Sequence, residues 1–220
     1  MVVSAPKPEL EADVLQRMQD FVAQLALEFG RITRHYWASV YLHGLLLDGE
    51  RKSIQPLAQR VDVPGWRGNT MQALQHFISD SGWDEQPVLQ AHRRLLAGAI
   101  ADPAGVIVID DTSFPKKGRY SVGVAPQYCG ALGKTANCQV AVSLHYAAPR
   151  GDYPLAFRLF LPQSWTSQTE RMELVRVPKS YQTPRSKDHI ALDLLDQVRA
   201  EGLPHQAVVV DAGYAASIGD

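Results

Sequence analysis

With 220 residues, 45% of them hydrophobic and 20% charged, the chain has material for one substantial domain or two small ones. A formal net charge of −1 supplies no global field for a polyanion, so any nucleic-acid role must rest on local basic patches. Two cysteines, Cys129 and Cys138, are too few for a disulfide framework or a four-cysteine metal site. No run of about 18 apolar residues is present, and the start Met1–Pro8 has no basic region leading into an apolar core. Neither a membrane span nor a secretory signal is expected, and the cytoplasm is the simplest compartment.

Residues 9–101 read as helical. Leu10, Val14, Met18, Phe21, Leu25 and Phe29 recur at steps of three and four, which places them on one helix face, with Gly30 as a stop. A second helix is expected over 34–48, with Trp37, Val40, Tyr41, Leu45 and Leu47 apolar. Ser53 can cap a short helix at 54–61, in which Pro56 falls in the tolerated first turn. After the loop Val63–Gly68, Met71, Leu74, Phe77 and Ile78 mark a further helix. Pro87 can open the last one, running through Leu89, Leu95, Leu96 and Ile100.

The periodicity changes after Asp102-Pro103-Ala104-Gly105. Val106–Ile109 is a short unbroken apolar run, as in a buried strand, and it ends on Asp110 and Asp111. Residues 138–147 alternate, with Cys138, Val140, Val142, Leu144 and Tyr146 on one side. Leu155, Phe157, Leu159 and Leu161 alternate with Ala156, Arg158 and Phe160 as a third strand. Ile190, Ala191, Leu194, Leu195 and Val198 form a helix stripe that ends at Gly202 and Pro204. Ala207–Val210 is a final buried strand, and it too ends on an acid, Asp211. The expected fold class is therefore α+β: a helical N-terminal region at 9–101, then a mixed sheet from residue 105 onward in the order β-β-β-α-β.

A carboxylate at the end of a buried strand is held rigidly and can reach a solvent-filled crevice. Two such acids on neighbouring strands can share divalent metal, because Mg²⁺ takes carboxylate oxygens and keeps several waters. Two metals about 3.5–4 Å apart can activate water and stabilise the leaving oxygen at a phosphodiester. Asp also ends strands as a turn residue or helix cap, so two acids alone do not define that chemistry. Aspartyl phosphatases carry acids two apart on one side of a strand. Here Asp110 and Asp111 are adjacent and point to opposite faces if the strand stays extended, which counts against that reading and leaves a small-molecule phosphohydrolase as a weaker alternative. Only one of the two should face a metal, and spacing leaves open which.

The segment Asp110-Asp111-Thr112-Ser113-Phe114-Pro115-Lys116-Lys117-Gly118, with Ser121–Val124, Gln127–Gly130, Gly133-Lys134 and Asn137–Val140, resembles bacterial insertion-sequence transposases of the DDE superfamily. The branch is the group of insertion sequence 701, related to the group of insertion sequence 4. Leu159–Pro162 followed by Trp165, and Val208–Tyr214, fit the same pattern. So do Tyr41–Leu46, Glu50–Ser53, Leu74–Phe77 and Trp83-Asp84 upstream. The resemblance covers about residues 20–215.

It implies an RNase H-like catalytic domain in which three acids bind Mg²⁺ or Mn²⁺. The acid directly before Thr is the first, which selects Asp111, with Asp110 and Thr112 supporting; Asp211 is the second; the third is a Glu on a later helix. The implied reaction is metal-assisted hydrolysis at a transposon end, then attack of the freed 3′-hydroxyl on target DNA. The implied partners are insertion-sequence ends, target DNA, and a second copy of the chain or a full-length transposase, in a bacterial, nucleoid-associated setting. Two departures qualify this. Residues after Asp211 leave no room for the third acid, so the domain at 105–220 is expected to be its N-terminal part and inactive alone. A non-catalytic product that binds DNA or transposase and inhibits transposition is the alternative. In addition, Ala215 stands where the group usually has Gly, which would be strained if that position needs a positive φ.

Lys116, Lys117, Arg119 and Lys134 cluster just after the first acids and are the candidate DNA-phosphate contacts. Arg171, Arg176, Lys179, Arg185 and Lys187 follow the third strand as a looser basic group. Glu170 and Glu173 precede Asp211 and are expected to be solvated. Trp66, Trp83 and Trp165 are expected to pack rather than stack on bases.

Overall fold

A computed structural model describes residues 8–211 and Tyr214. The chain divides into two compact units, Met1–Arg94 and Leu95–Asp220.

Among the described residues, the regular structure of the first unit is helical: α1 (Ala12–Leu25), a 3-10 turn (Ala26–Phe29), α2 (Ile32–Leu46), α3 (Ile54–Arg60), α4 (Thr70–Ser79) and most of α5 (Glu85–Ile100). Of the predicted stripe, Met18, Leu25 and Phe29 are buried and Leu10, Val14 and Phe21 half-buried, but α1 ends at Leu25 and Phe29 lies in the 3-10 turn. A second cluster gathers Leu47, Leu57, Val61 and Leu74, with Trp37, Val40 and Tyr41 packed against it. Gly44 makes the approach of α2 to α3 close: a Cβ there would lie 2.3 Å from Leu57 Cδ2. Ser53 does precede α3, but its side chain makes no capping bond, whereas Asn69 accepts from Gln72 N–H at 3.0 Å and caps α4. Trp83 stacks on Phe77 with ring centroids 5.7 Å apart. Trp66 departs from the packed expectation in part: it meets Trp37 edge-on at 5.1 Å yet stays 44% exposed.

The second unit is built on five strands among the described residues: β1 (Val106–Pro115), β2 (Ala125–Cys129), β3 (Lys134–Ala148), β4 (Gly151–Leu159) and β5 (Ala207–Val210). β3 pairs antiparallel with β2, β1 and β4, and β5 lies parallel to β1. Short helices α6 (Gln163–Thr166), α7 (Thr169–Leu174) and α8 (Lys179–Gln182) lead to α9 (Lys187–Arg199). This is an α+β chain with helices first and an RNase H-like mixed sheet after them. The strand order adds one strand to the sequence expectation: β2 is too short, and too interrupted by Pro126, to register as an apolar alternation.

The core lies between one face of the sheet and α9. Ile107 and Ile109 of β1 and Val142, Leu144 and Tyr146 of β3 pack on Ile190, Ala191, Leu194 and Val198 of α9. The predicted alternation of residues 138–147 holds, but that of the next strand does not. A register shift opposite Leu144/His145 resets β4, so Leu155 and Ala156 are both buried and Phe157 turns outward at 67% exposure. Tyr146 pins the entrance of the sheet. Its hydroxyl receives the Asp102 N–H (2.9 Å) and lies 2.8 Å from both the Asp102 and Pro204 carbonyl oxygens. Gly105 leaves room for that phenol, since a Cβ would stand 2.1 Å from its oxygen. A smaller cluster of Val124, Trp165, Met172 and Val177 packs around α6 and α7, with Trp165 donating to the Val124 carbonyl at 2.8 Å.

Candidate active site

The acidic pair sits inside β1 rather than at its end. β1 continues six residues past Ile109, in register with β3 down to Pro115 opposite Cys138, because that pairing satisfies its backbone groups. What ends at Ile109 is the parallel pairing with β5, whose last partner is Val210. The strand stays extended, and the two acids divide between its faces. Asp111 falls in line with the buried Ile107 and Ile109, on the α9 side, and is half-buried. Asp110 is exposed on the other side.

Both oxygens of the Asp111 carboxylate are taken. Lys187 Nζ, from the first residue of α9, donates to Oδ2, and the Tyr214 hydroxyl donates to Oδ1. Lys187 and Asp111 keep 34% and 32% of their side-chain surface exposed, so the pair sits at the rim of the core. Ser186 starts α9 in the correct place, its hydroxyl accepting from His189 N–H at 3.3 Å, and the Lys187 ammonium lies 5.6 Å from the Phe160 ring centroid. Tyr214 is 5% exposed, and its N–H donates to the Asp211 carbonyl at 2.9 Å. Burial, then the bond to Asp111, pushes the Tyr214 phenol well above its ordinary range.

Asp211 follows β5 directly and is exposed. Since Val210 pairs with Ile109, Asp211 stands level with Asp110 along the sheet, and Asp111 is contacted by Tyr214. Asp110 Oδ1 accepts the backbone N–H of Asp111 at 2.7 Å. On the same face the buried Ser143 hydroxyl lies 3.0 Å from the Asp110 carbonyl oxygen and 3.3 Å from Thr112 Oγ1. Asp110 and Thr112 thus belong to a polar network that fixes β1 against β3. Asp111 and Asp211 offer only oxygen donors, the type a hard divalent cation takes, and a cationic ammonium is already seated on Asp111. Among the described residues, no group of three or more His, Cys, Asp or Glu comes together as a metal cluster.

Lys116, Lys117 and Arg119 are exposed on the segment between β1 and β2, and Lys134 is exposed at the start of β3. The backbone of this basic segment is fixed from outside. Asn137 Nδ2 donates to the Lys116 and Gly118 carbonyls, both at 2.8 Å. Arg171 donates to the Arg119 carbonyl at 2.8 Å while its guanidinium lies 3.7 Å over the Trp165 ring. Glu170 and Glu173 are exposed on α7. Ala215 lies outside the described residues.

Sequence reasoning passed over Lys187, Tyr214, Ser143 and Asn137 as site residues. Lys187 carried one readable signal, a cation in the first turn of a helix, where the macrodipole disfavours it and some other partner must compensate. Tyr214 lay inside a motif of the family pattern, but nothing in the sequence tied it to Asp111.

Two comparisons bear on this geometry. The sequence model of the DDE superfamily endonucleases matches residues 24–218, and the chain belongs to that family. It is also similar to a protein of Microchaete diplosiphon described as "Probable transposase for insertion sequence element IS701", with 29% identity over 185 residues. The match covers 84% of this chain and 44% of that protein, so the chain spans less than half the length of that relative.

Proposed function

We propose that the sheet unit carries the first two acids of a DNA transposase active site. Asp111 and Asp211 hold Mg²⁺ or Mn²⁺, Asp110 and Thr112 support the strand, and Lys116, Lys117, Arg119 and Lys134 neutralise DNA phosphates. The reaction is hydrolysis of a phosphodiester at an insertion-sequence end, which frees a 3′-hydroxyl, followed by attack of that hydroxyl on target DNA. When bound, divalent metal supplies water activation and neutralises charge developing at phosphorus. The chain's own residues orient Asp111, set the height of Asp211 in the sheet, and hold the basic segment in a defined shape before DNA arrives.

The observation that carries this reading is Asp111 itself. It is a carboxylate on the core side of β1, in line with Ile107 and Ile109, with both oxygens held by hydrogen bonds. An acid ordinarily stays solvated, so one placed on the core side of a strand and held from two distant segments supports a functional role. Family membership supports it independently.

The chain spans less than half the length of the transposase it is similar to, so the complete reaction is proposed for the longer protein. The test therefore uses a protein of the relative's full length that contains residues 1–220. Mg²⁺-dependent nicking of insertion-sequence ends is expected to fall by roughly 10³-fold in Asp111→Ala and in Asp211→Ala, the loss of several kcal/mol of transition-state stabilisation. Full activity in both variants would falsify the assignment. Gel-shift titration of the 220-residue chain with end DNA, with and without the longer protein, tests whether it acts as an inhibitor: competition for ends or mixed complexes are expected if it does.

A further inference from the structure

The Lys187–Asp111 contact has a physical consequence beyond orientation, which rests on the assignment of Asp111 as a metal ligand. Lys187 stands at the first position of α9, where the helix dipole repels a cation. The ammonium nevertheless reaches Asp111 Oδ2, past the Phe160 ring, at the rim of the core. On the other side, Tyr214 OH holds Oδ1. With two neutral donors Asp111 would be an uncompensated charge beside Ile107 and Ile109. With Lys187 in place the pair is neutral overall, as a half-buried carboxylate requires.

We propose that Lys187 is a charge placeholder: it occupies the cation position on Asp111 while metal is absent, and a divalent ion must displace it from Oδ2 to bind. The Tyr214 bond to Oδ1 is compatible with either occupant, because a carboxylate has about four lone-pair sites and the phenol uses one. The ammonium and the ion cannot share Oδ2 at close range, because their charges repel. Released on its flexible four-carbon stem, Lys187 can turn outward toward an incoming backbone phosphate.

The test is Mn²⁺ titration of the 220-residue chain, followed by calorimetry and by Mn²⁺ electron paramagnetic resonance. Lys187→Met keeps the length and helix propensity of the side chain and removes the charge. It is expected to bind Mn²⁺ roughly fivefold or more tightly than the parent, the effect of losing a unit charge a few ångströms from a divalent ion in a half-solvated site. Lys187→Arg keeps the charge and is expected to bind as the parent does. Unchanged or weaker binding by Lys187→Met, or equal tightening in Lys187→Arg, overturns the proposal while leaving Asp111 as a ligand. Binding that persists in Asp111→Asn overturns the ligand assignment and the placeholder with it. A second measurement needs no variant. The ¹⁵N-resolved NMR signal of the Lys187 ammonium is expected to be protected from exchange without metal and to lose that protection as Mg²⁺ is added; protection that survives saturating Mg²⁺ overturns the proposal.

Discussion

In the helical unit, the titratable groups whose ionisation burial resists are imidazoles: His43 on α2 and His92 on α5, both lowered below the ordinary value, His92 also by Arg93. In the sheet unit they are a phenol and a thiol. Tyr214 is raised first by burial and then by Asp111, and Cys138 first by burial and then by Cys129. All four groups favour their neutral form, but with opposite consequences for pH. An imidazole that resists protonation when folded contributes stability above the ordinary value of 6.5, and that contribution is lost as pH falls below it. A phenol or thiol that keeps its proton when folded contributes fully below its ordinary value, 10.0 for Tyr214 and 9.0 for Cys138, and that contribution is lost as pH rises above it. Burial thus resists protonation of two half-buried histidines in the helical unit, and in the sheet unit it keeps the proton on the phenol that holds Asp111.

The largest effects that probe this division come from the two cores. Leu74→Ala in the helical unit and Leu144→Ala in the sheet unit remove side chains with 0% exposure, and each is expected to cost about 2–5 kcal/mol. Amide hydrogen exchange should place the loss of protection in the unit that carries the change; equal loss in both units from either change would break the division. Next is Tyr146→Phe, which removes the hydroxyl joining Asp102 to Pro204 and is expected to cost about 1–3 kcal/mol in denaturant unfolding. A smaller effect, about 1 kcal/mol, is expected for Asn69→Ala, which removes the cap of α4. The finest probe is pH. The helical unit is expected to lose protection first on acidification below 6.5, and His92→Gln should blunt that loss. The sheet unit should lose it first above pH 9, and Tyr214→Phe should blunt the part of that loss above pH 10. Acid and alkaline limbs that arise in the same unit would remove the contrast.

Much of the fold was legible because burial imposes a period. Met18, Leu25 and Phe29 among the steps of three and four, and the alternating residues from Cys138 to Tyr146, are buried as their spacing requires, whereas Ala207–Val209, read as part of a buried strand, are exposed. The failures also have causes. β4 broke its alternation because a shift in register opposite His145 inserts one residue into the pairing, and such an insertion leaves no mark in the hydrophobic pattern. β1 runs past its apolar stretch because pairing with β3 stabilises polar residues that local preference would not place in a strand.

By itself, the sequence determined the helical first half, the strands that bear the acids, and the family to which the residues around Asp110-Asp111-Thr112 pointed. It also determined that the two adjacent acids must part to opposite faces, since an extended chain alternates. Only the tertiary structure decided which of them turns toward α9, because that depends on which face of β1 the helix covers. Only the tertiary structure joined Lys187 and Tyr214 to Asp111, across 76 and 103 residues of chain. Contacts of that range are set by register and crossover, and no local pattern of residues encodes them.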